Sequence, residues 1–148
     1  MKKGFTVIEL VIVMAVLFFV FSLLFTVYIN FLKTYTSEFN RAEARNTVEL
    51  AMNKLANEFV GATAVSTYSA KSITFTTPAG VTISYAWSGV TGESLIRTLG
   101  ASTFEAAVNV SNFLITYVST LDAYNFTLSA ISSKDNFTIS SLIKMRNL

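Results

Sequence analysis

One apolar stretch near the start of the chain decides the fold: residues 5–32, which read FTVIELVIVMAVLFFVFSLLFTVYINFL. Of these 28 residues 23 are apolar, and the 23 positions from Leu10 to Leu32 carry no charge. As a helix they extend about 34 Å at ~1.5 Å per residue, enough to cross a hydrocarbon core of ~30 Å. The apolar part of a secretory signal peptide is shorter, at ~7–15 residues. The stretch therefore predicts a transmembrane helix.

The charges on either side of this segment predict its orientation. Lys2 and Lys3 precede it on the short side, and basic residues are retained on the cytoplasmic side of a membrane. We therefore expect the N-terminus to be cytoplasmic and residues 33–148 to lie across the membrane. The sequence predicts a single-pass protein whose globular part is extracytoplasmic.

Composition argues against several classes of function. The 148 residues include no cysteine and no histidine, which removes thiolate and imidazole metal sites, disulfides, and nucleophilic triads that need either residue. Lys2 and Lys3 account for the net charge of +2, because the rest of the chain has nine basic and nine acidic side chains. A basic face for direct nucleic-acid binding is therefore not expected. We expect no enzymatic activity, no cofactor and no metal.

Residues 33–61 predict a second helical segment of different composition. Eight of the 28 residues from Lys33 to Val60 are charged, with both signs interspersed, and apolar residues recur at the spacing of one buried helical stripe. The predicted stripe comprises Tyr35, Phe39, Ala42, Val48, Met52, Leu55 and Phe59. Since proline is absent before Pro78, we expect the apolar helix to continue into this amphipathic half and to end near Gly61.

Residues 62–148 have the composition of a β-sheet domain. From Gly61 onward only nine of 88 residues are charged, whereas 27 are serine or threonine, and apolar residues alternate with polar ones. About six strands are expected, with a loop or short helix near residues 103–108. The predicted strands cover residues 72–76, 81–87, 94–99, 112–119, 125–131 and 136–145. The first two flank Thr77-Pro78-Ala79-Gly80, a turn sequence, and should form a hairpin.

One face of this hairpin is expected to cover the stripe of the amphipathic helix, because alternate residues of a strand point to the same side. These residues are Ile73, Phe75, Val81, Ile83, Tyr85 and Trp87. Trp87 and the tyrosines suggest a carbohydrate platform as an alternative. Acidic and amide residues do not cluster near them in the sequence, which favours core packing. The predicted fold class is α+β, with a long N-terminal helix packed on an antiparallel β-sheet.

The start of the chain resembles the class III signal of the type IV pilin superfamily. The resemblance lies in Lys2-Lys3-Gly4-Phe5-Thr6-Val7-Ile8-Glu9-Leu10: a short basic leader, Gly4 before the cleavage point, Phe5 after it, and Glu9 as the fifth residue of the processed chain. It covers about the first 30 residues. The resemblance implies cleavage after Gly4 by a prepilin peptidase, N-methylation of Phe5 by the same enzyme, and the pilin fold.

The spacing of these residues also has a chemical rationale. Cleavage between Gly4 and Phe5 exposes an α-ammonium group at the head of an apolar helix. In a stack of such helices, the Glu9 carboxylate of one subunit can pair with the Phe5 ammonium of a neighbour, so that neither charge is buried alone. Gly4 has no Cβ and allows the closest approach of a protease to the backbone. We therefore expect Glu9 to serve in subunit docking.

A second, more diffuse resemblance is to PilW-like minor pilins and J-type minor pseudopilins. It lies in Met52-Asn53-Lys54-Leu55, Ile96-Arg97, Phe113-Leu114-Ile115-Thr116-Tyr117 and Ile143-Lys144-Met145-Arg146-Asn147. The disulfide loop of many major pilins is ruled out because cysteine is absent. After Glu105 the only acidic residues are Asp122 and Asp135, fewer than the clustered oxygen ligands of a calcium site.

The expected organisation is a leader peptide (1–4), a transmembrane and filament-core helix (5–32), its amphipathic half (33–61) and a β-sheet globular domain (62–148). The resemblance implies a structural subunit, a minor pilin or pseudopilin that initiates or caps a filament tip. Implied partners are prepilin peptidase, other pilin subunits, and the inner-membrane assembly platform with its ATPase. The precursor would lie in the inner membrane, and the filament in the periplasm or at the cell surface. The alternative is a single-pass membrane-anchored adhesin or sensor that does not polymerise.

Overall fold

A single long helix, α1 (Val7–Val60), begins the part of the chain that the computed structural model describes, which is residues 6–132 and 135–146. The prediction of one uninterrupted helix ending near Gly61 is confirmed. The Ala62 N–H donates to the Phe59 carbonyl oxygen at 3.0 Å as the chain leaves the last turn. The chain divides into two compact units, one up to Glu38 and the other from Phe39 onward.

Eight antiparallel strands follow α1 in the described residues and form two sheets. They are β1 (Ala64–Ser69), β2 (Ser72–Thr76), β3 (Thr82–Ala86), β4 (Leu95–Leu99), β5 (Ser102–Ala107), β6 (Val110–Val118), β7 (Ala123–Ser132) and β8 (Asp135–Ile143). Strands β1 to β5 form one sheet in sequence order, and β6 to β8 form the other. The predicted α+β class, with a long N-terminal helix packed on antiparallel sheet, is confirmed.

The prediction of about six strands on one antiparallel sheet is wrong in two respects: the strands form two sheets, and there are eight of them in the described residues. β1 is not predicted, and β5 occupies the region near residues 103–108 for which a loop or short helix is expected. Both strands lie at the edges of the five-stranded sheet, and most of their residues are exposed. An edge strand with little buried face lacks the period-two alternation by which strands are recognised in a sequence.

Strands β2 and β3 form the predicted hairpin. Ile73 pairs with Tyr85, and both side chains are buried. The turn requires Gly80, whose φ of +76° lies in the left-handed region and whose N–H donates to the Thr77 carbonyl oxygen at 2.9 Å. Val81 lies in this turn, before β3 begins, and 39% of it is exposed. Its predicted place in the core is therefore wrong.

The second unit buries one stripe of α1 against both sheets. The buried α1 residues are Ala44, Val48, Ala51, Met52, Leu55 and Phe59. The Phe59 ring makes edge-to-face contacts with Phe75 of β2 and with Tyr124 and Phe126 of β7, at centroid distances of 5.4, 5.3 and 5.1 Å. Because β2 and β7 belong to different sheets, Phe59 packs the helix against both.

Three residues of the predicted stripe lie outside this core. Tyr35, Phe39 and Ala42 are exposed, so this part of the prediction is wrong. Phe39 precedes Val48 by nine positions, which is about two and a half turns at ~3.6 residues per turn, and so lies on the opposite face of the helix. The globular unit therefore presents a large aromatic side chain of α1 to its surroundings.

Two arginines of α1 connect the helix to β8 within the globular unit. Arg41 Nε lies 3.4 Å from Asp135 Oδ2, and the Arg45 guanidinium lies 5.7 Å from the centroid of the Phe137 ring. Arg45 Nε also donates to Glu49 Oε1 at 2.7 Å, one helical turn along. These groups are mostly exposed, so each contact adds little to the free energy of unfolding, but together they align β8 with the helix.

Candidate functional site

The first turn of α1 is organised around Glu9 and Thr6. Glu9 Oε2 accepts hydrogen bonds from the Thr6 N–H at 2.9 Å and from the Thr6 hydroxyl at 3.0 Å, and Thr6 Oγ1 accepts from the Glu9 N–H at 3.4 Å. This reciprocal arrangement is a capping box, which satisfies N–H groups that lack partners at the start of a helix. Glu9 therefore has a role within its own chain, in fixing the start of the helix at Val7.

The sequence signal for this cap is Thr6 followed three residues later by Glu9, the Thr-x-x-Glu pattern of a capping box. The sequence predicts a docking role for Glu9, and the cap was not predicted. The other predicted processing residues, Lys2, Lys3, Gly4 and Phe5, lie outside the described residues. Cleavage after Gly4, methylation of Phe5 and pairing of its ammonium with Glu9 therefore stay predictions.

The N-terminal half of α1 exposes a continuous apolar surface. Large aromatic side chains such as Phe18 (72% exposed), Phe21 and Phe25 project from it, together with many leucine, valine and isoleucine side chains. By length and composition this helix is able to cross a membrane. Exposed apolar surface of this extent is not stable in water and identifies a lipid or protein contact. The N-terminal part of α1 thus presents an apolar surface suited to contact with lipid or with other protein.

Two threonine hydroxyl groups within this helix are satisfied by the preceding turn. Thr26 Oγ1 donates to the Ser22 carbonyl oxygen at 2.9 Å, and Thr36 Oγ1 donates to the Leu32 carbonyl oxygen at 2.9 Å. Such bonds to the preceding turn allow a threonine to enter an apolar environment without an unsatisfied donor. These two threonines are therefore compatible with burial in lipid or among helices.

A part-buried ion pair fixes the other end of α1 on the five-stranded sheet. Arg97 of β4 donates two hydrogen bonds to Glu58, from Nη2 to Oε1 at 2.6 Å and from Nε to Oε2 at 3.0 Å. The Tyr85 hydroxyl of β3 donates to the same Oε2 at 2.7 Å. The planar fork of the guanidinium matches the carboxylate and fixes both distance and angle. The sequence gives no local signal for this contact, which joins residues 39 positions apart.

The three groups shift one another's pKa. Burial raises the pKa of the Glu58 carboxyl, but the hydrogen bonds from Arg97 and Tyr85 stabilise its charged form more strongly, and the net pKa is lowered. The hydrogen bond to Glu58 raises the pKa of Arg97. Burial, reinforced by the adjacent carboxylate, raises the pKa of Tyr85. The network is therefore a stable ion pair with a protonated phenol at neutral pH, suited to structure and not to proton transfer.

Trp87 belongs to the core. This is the packing that the sequence favours over the alternative of a carbohydrate-binding platform. It is buried, and Lys71 covers it with its ammonium nitrogen 5.5 Å from the ring centroid. The indole N–H has no hydrogen-bond partner among the described residues. The end of the Lys71 side chain also lies beside Gly89, whose φ of +88° is in the left-handed region that favours glycine. Trp87 is thus a core residue with a lysine ammonium over its ring.

Three tyrosines join the two sheets at the surface. The Tyr68 ring of β1 lies 6.5 Å from that of Tyr117 of β6 and 5.4 Å from that of Tyr124 of β7. The Tyr117 hydroxyl donates to Asp122 at 2.7 Å, and this hydrogen bond raises the pKa of Tyr117. The cluster therefore joins the two sheets through ring contacts, and the Tyr117 hydroxyl is bonded to Asp122.

The comparisons add no relative to this description. No family model, no curated protein and no solved structure matches the chain. In the described residues, no three carboxylates come close enough together to hold a metal ion. The features that carry a functional argument are therefore the apolar surface of α1 and its capped first turn.

Proposed function

We propose that this chain is a non-enzymatic structural subunit of a type IV pilus-like filament, of the minor pilin or pseudopilin type. It is cut after Gly4 by prepilin peptidase, methylated on Phe5, and assembled through its N-terminal helix with other pilin subunits. An inner-membrane platform and its ATPase supply the work of extraction from the membrane. The subunit initiates or caps the filament tip in the periplasm or at the cell surface.

The observation that carries the proposal is the exposed apolar half of α1, which continues without a break into the helix that organises the globular unit. A membrane anchor requires no more than the apolar stretch. A filament subunit also requires apolar side chains on the part of the helix that leaves the membrane. Phe39 and Leu50 meet this requirement, since both are exposed within the globular unit, 11 positions or about three helical turns apart. They lie on the face away from the core and support contact with a neighbouring helix.

The capping box favours a second candidate function. Because the Glu9 carboxylate already accepts two hydrogen bonds from Thr6, its place in an apolar helix has a local explanation that needs no partner subunit. A single-pass membrane-anchored adhesin or sensor that never polymerises would carry the same cap. In a filament subunit the charge of Glu9 pairs with a neighbouring subunit, whereas in a monomeric anchor Glu9 only caps its own helix.

Two substitutions separate these functions in cells that assemble the filament. Glu9→Gln keeps an acceptor at the third helical position, which a capping box tolerates, but removes the charge. Thr6→Val removes the capping hydroxyl and keeps the charge. We expect Glu9→Gln to reduce the subunit's incorporation into filaments and Thr6→Val to leave most of it. Absence of the wild-type chain from purified filaments would favour the monomeric anchor, whereas equal incorporation of both variants and the wild-type chain would show that docking does not need the charge of Glu9.

A further inference from the structure

Apolar residues of α1 that the globular core does not use recur at alternating spacings of four and three residues. They are Phe21, Phe25, Tyr28, Leu32, Tyr35 and Phe39, and we call this set the aromatic seam. All six side chains are exposed, Phe25 by 66% and Tyr35 by 62%. Such alternation is the 3.5-residue period of a coiled coil, in which these residues take the a and d positions. The seam therefore has the pattern of a helix that packs lengthwise against another helix.

Contact with lipid does not account for this period. Where the helix is apolar all round, the position of an apolar residue carries little information. Over residues 33–43, however, the only apolar residues are Tyr35, Phe39 and Ala42, which take successive d, a and d positions among polar and charged neighbours. The globular core does not use them, because the buried residues of α1 begin at Ala44. The period thus persists where neither lipid nor the core explains it.

A second copy of the chain fits the seam as its partner. Two identical helices that span one membrane in the same orientation are parallel and lie at the same depth, so each seam residue meets its counterpart in the other copy. Apolar residues then face apolar residues along the whole seam. Asn46 follows Ala42 by four positions, takes the next a position and is exposed. An asparagine at an a position specifies the register and the number of helices in a coiled coil.

The charges beside the seam oppose this pairing only weakly. In a parallel pair the residue before an a position lies close to the residue five positions further along the other helix, which brings Glu38 of one copy near Glu43 of the other. Both residues are exposed, so solvent and salt screen the repulsion between them. Contacts between the aromatic rings extend over the entire seam and gain from ring geometry. We expect the ring contacts to outweigh the repulsion.

We propose that α1 forms a parallel two-stranded coiled coil with α1 of a second copy of this chain, through the aromatic seam. The proposal goes beyond the filament function, because it requires neither cleavage after Gly4 nor assembly. It describes the state of the chain in the membrane before any filament forms. In this dimer Tyr35 and Phe39 are shielded from water by their counterparts.

Disulfide formation between two copies tests the proposal, because the chain has no cysteine of its own. Ala42→Cys places a thiol at a d position, where two copies come close enough for a disulfide. Thr34→Cys is the matched control, since Thr34 is exposed in the same polar stretch but takes a c position outside the seam. The full, uncut chain is reconstituted at low density in phosphatidylcholine vesicles and oxidised. We expect the linked dimer to form about tenfold faster in Ala42→Cys.

Three further substitutions in the Ala42→Cys chain separate the seam from the rest of the exposed helix. Phe39→Ala shortens a seam residue and should slow dimer formation several-fold. Leu50→Ala removes an apolar side chain of similar exposure, 61% against 59% for Phe39, that lies beyond the seam, and it should leave the rate unchanged. Glu43→Lys replaces the repulsion from Glu38 by attraction and should raise the rate about twofold.

Four results would overturn the inference. Three are equal rates in Ala42→Cys and Thr34→Cys, equal effects of Phe39→Ala and Leu50→Ala, and slower dimer formation in Glu43→Lys. The fourth is the absence of any linked dimer of the purified chain, which would point to a helix of another protein as the partner. The measurement uses the uncut chain without assembly proteins, so a failure of the filament proposal leaves its outcome unaffected.

Discussion

Replacement of Phe59 by alanine should remove the side chain on which the packing of α1 depends most. Phe59 is fully buried and its ring contacts three aromatic rings on both sheets, at centroid distances of 5.1 to 5.4 Å. Truncation of a buried phenylalanine to alanine typically lowers the free energy of unfolding by about 3–5 kcal/mol. For a unit of this size, such a loss lowers the melting temperature by about 13–22 °C.

The chain offers a matched control on the same helix. Phe39→Ala removes an identical side chain that is 59% exposed, and substitutions at such positions usually change the free energy of unfolding by less than about 0.5 kcal/mol. Trp87 is the only tryptophan and lies buried in the globular unit, so its fluorescence reports unfolding of that unit in detergent micelles. Equal losses of melting temperature in the two variants would refute the assignment of one core face and one free face to α1.

The remaining predictions concern the ion pair, the leader and the domain boundary. The pKa of Glu58 is lowered in the folded chain, so the ion pair stabilises the fold fully above the unfolded carboxyl pKa, and this stabilisation is lost as pH falls through the lower folded value. The free energy of unfolding should therefore decline below about pH 4. Glu58→Gln should reduce the free energy of unfolding by about 1–3 kcal/mol at pH 7 and flatten that decline. A decline of unchanged steepness in Glu58→Gln would assign the acid sensitivity to other carboxylates. Gly4→Leu should leave the chain inserted in the membrane but uncut, since insertion depends on residues 10–32. An intact mass that corresponds to a chain starting at Phe5 would contradict the argument that the protease needs a residue without Cβ at this position. Removal of residues 1–32 should yield a soluble monomer, because the buried α1 residues all lie from Ala44 onward. Circular dichroism should show helix and strand signals and a cooperative melt. A non-cooperative melt would mean that the apolar half of α1 is needed for folding.

Periodic patterns in the sequence predict the parts of the fold that periodicity determines. The uninterrupted helix to Val60 follows from the absence of proline, and the β2–β3 hairpin follows from alternation around a Pro-Ala-Gly turn. The buried stripe from Val48 to Phe59 follows from three- and four-residue spacing. The hairpin and the stripe each lie within about 15 consecutive residues, and the helix repeats one local preference over its length, which is why the local sequence is enough.

Features set by long-range contacts are not predictable in this way. β1 and β5 lie at sheet edges, where exposure removes the alternation that identifies a strand. Tyr35 and Phe39 match a helical period, but the sheets cover only the opposite face of the helix, from Ala44 on. The Glu58–Arg97 pair joins residues far apart in sequence. The capping box at Thr6 is the exception, since the Thr-x-x-Glu pattern that encodes it is local.

The central claim is that the charge of Glu9 docks this subunit into a filament, and it is tested by the amount of subunit in purified filaments relative to the membrane pool. For Glu9→Gln the account predicts a fall of about 100-fold or more, since an unpaired ammonium in an apolar interface costs ~3–5 kcal/mol. For Thr6→Val, which keeps the charge, it predicts nearly normal incorporation. Normal incorporation of Glu9→Gln, or an equal fall for Thr6→Val, would contradict the claim and leave Glu9 as a helix cap alone.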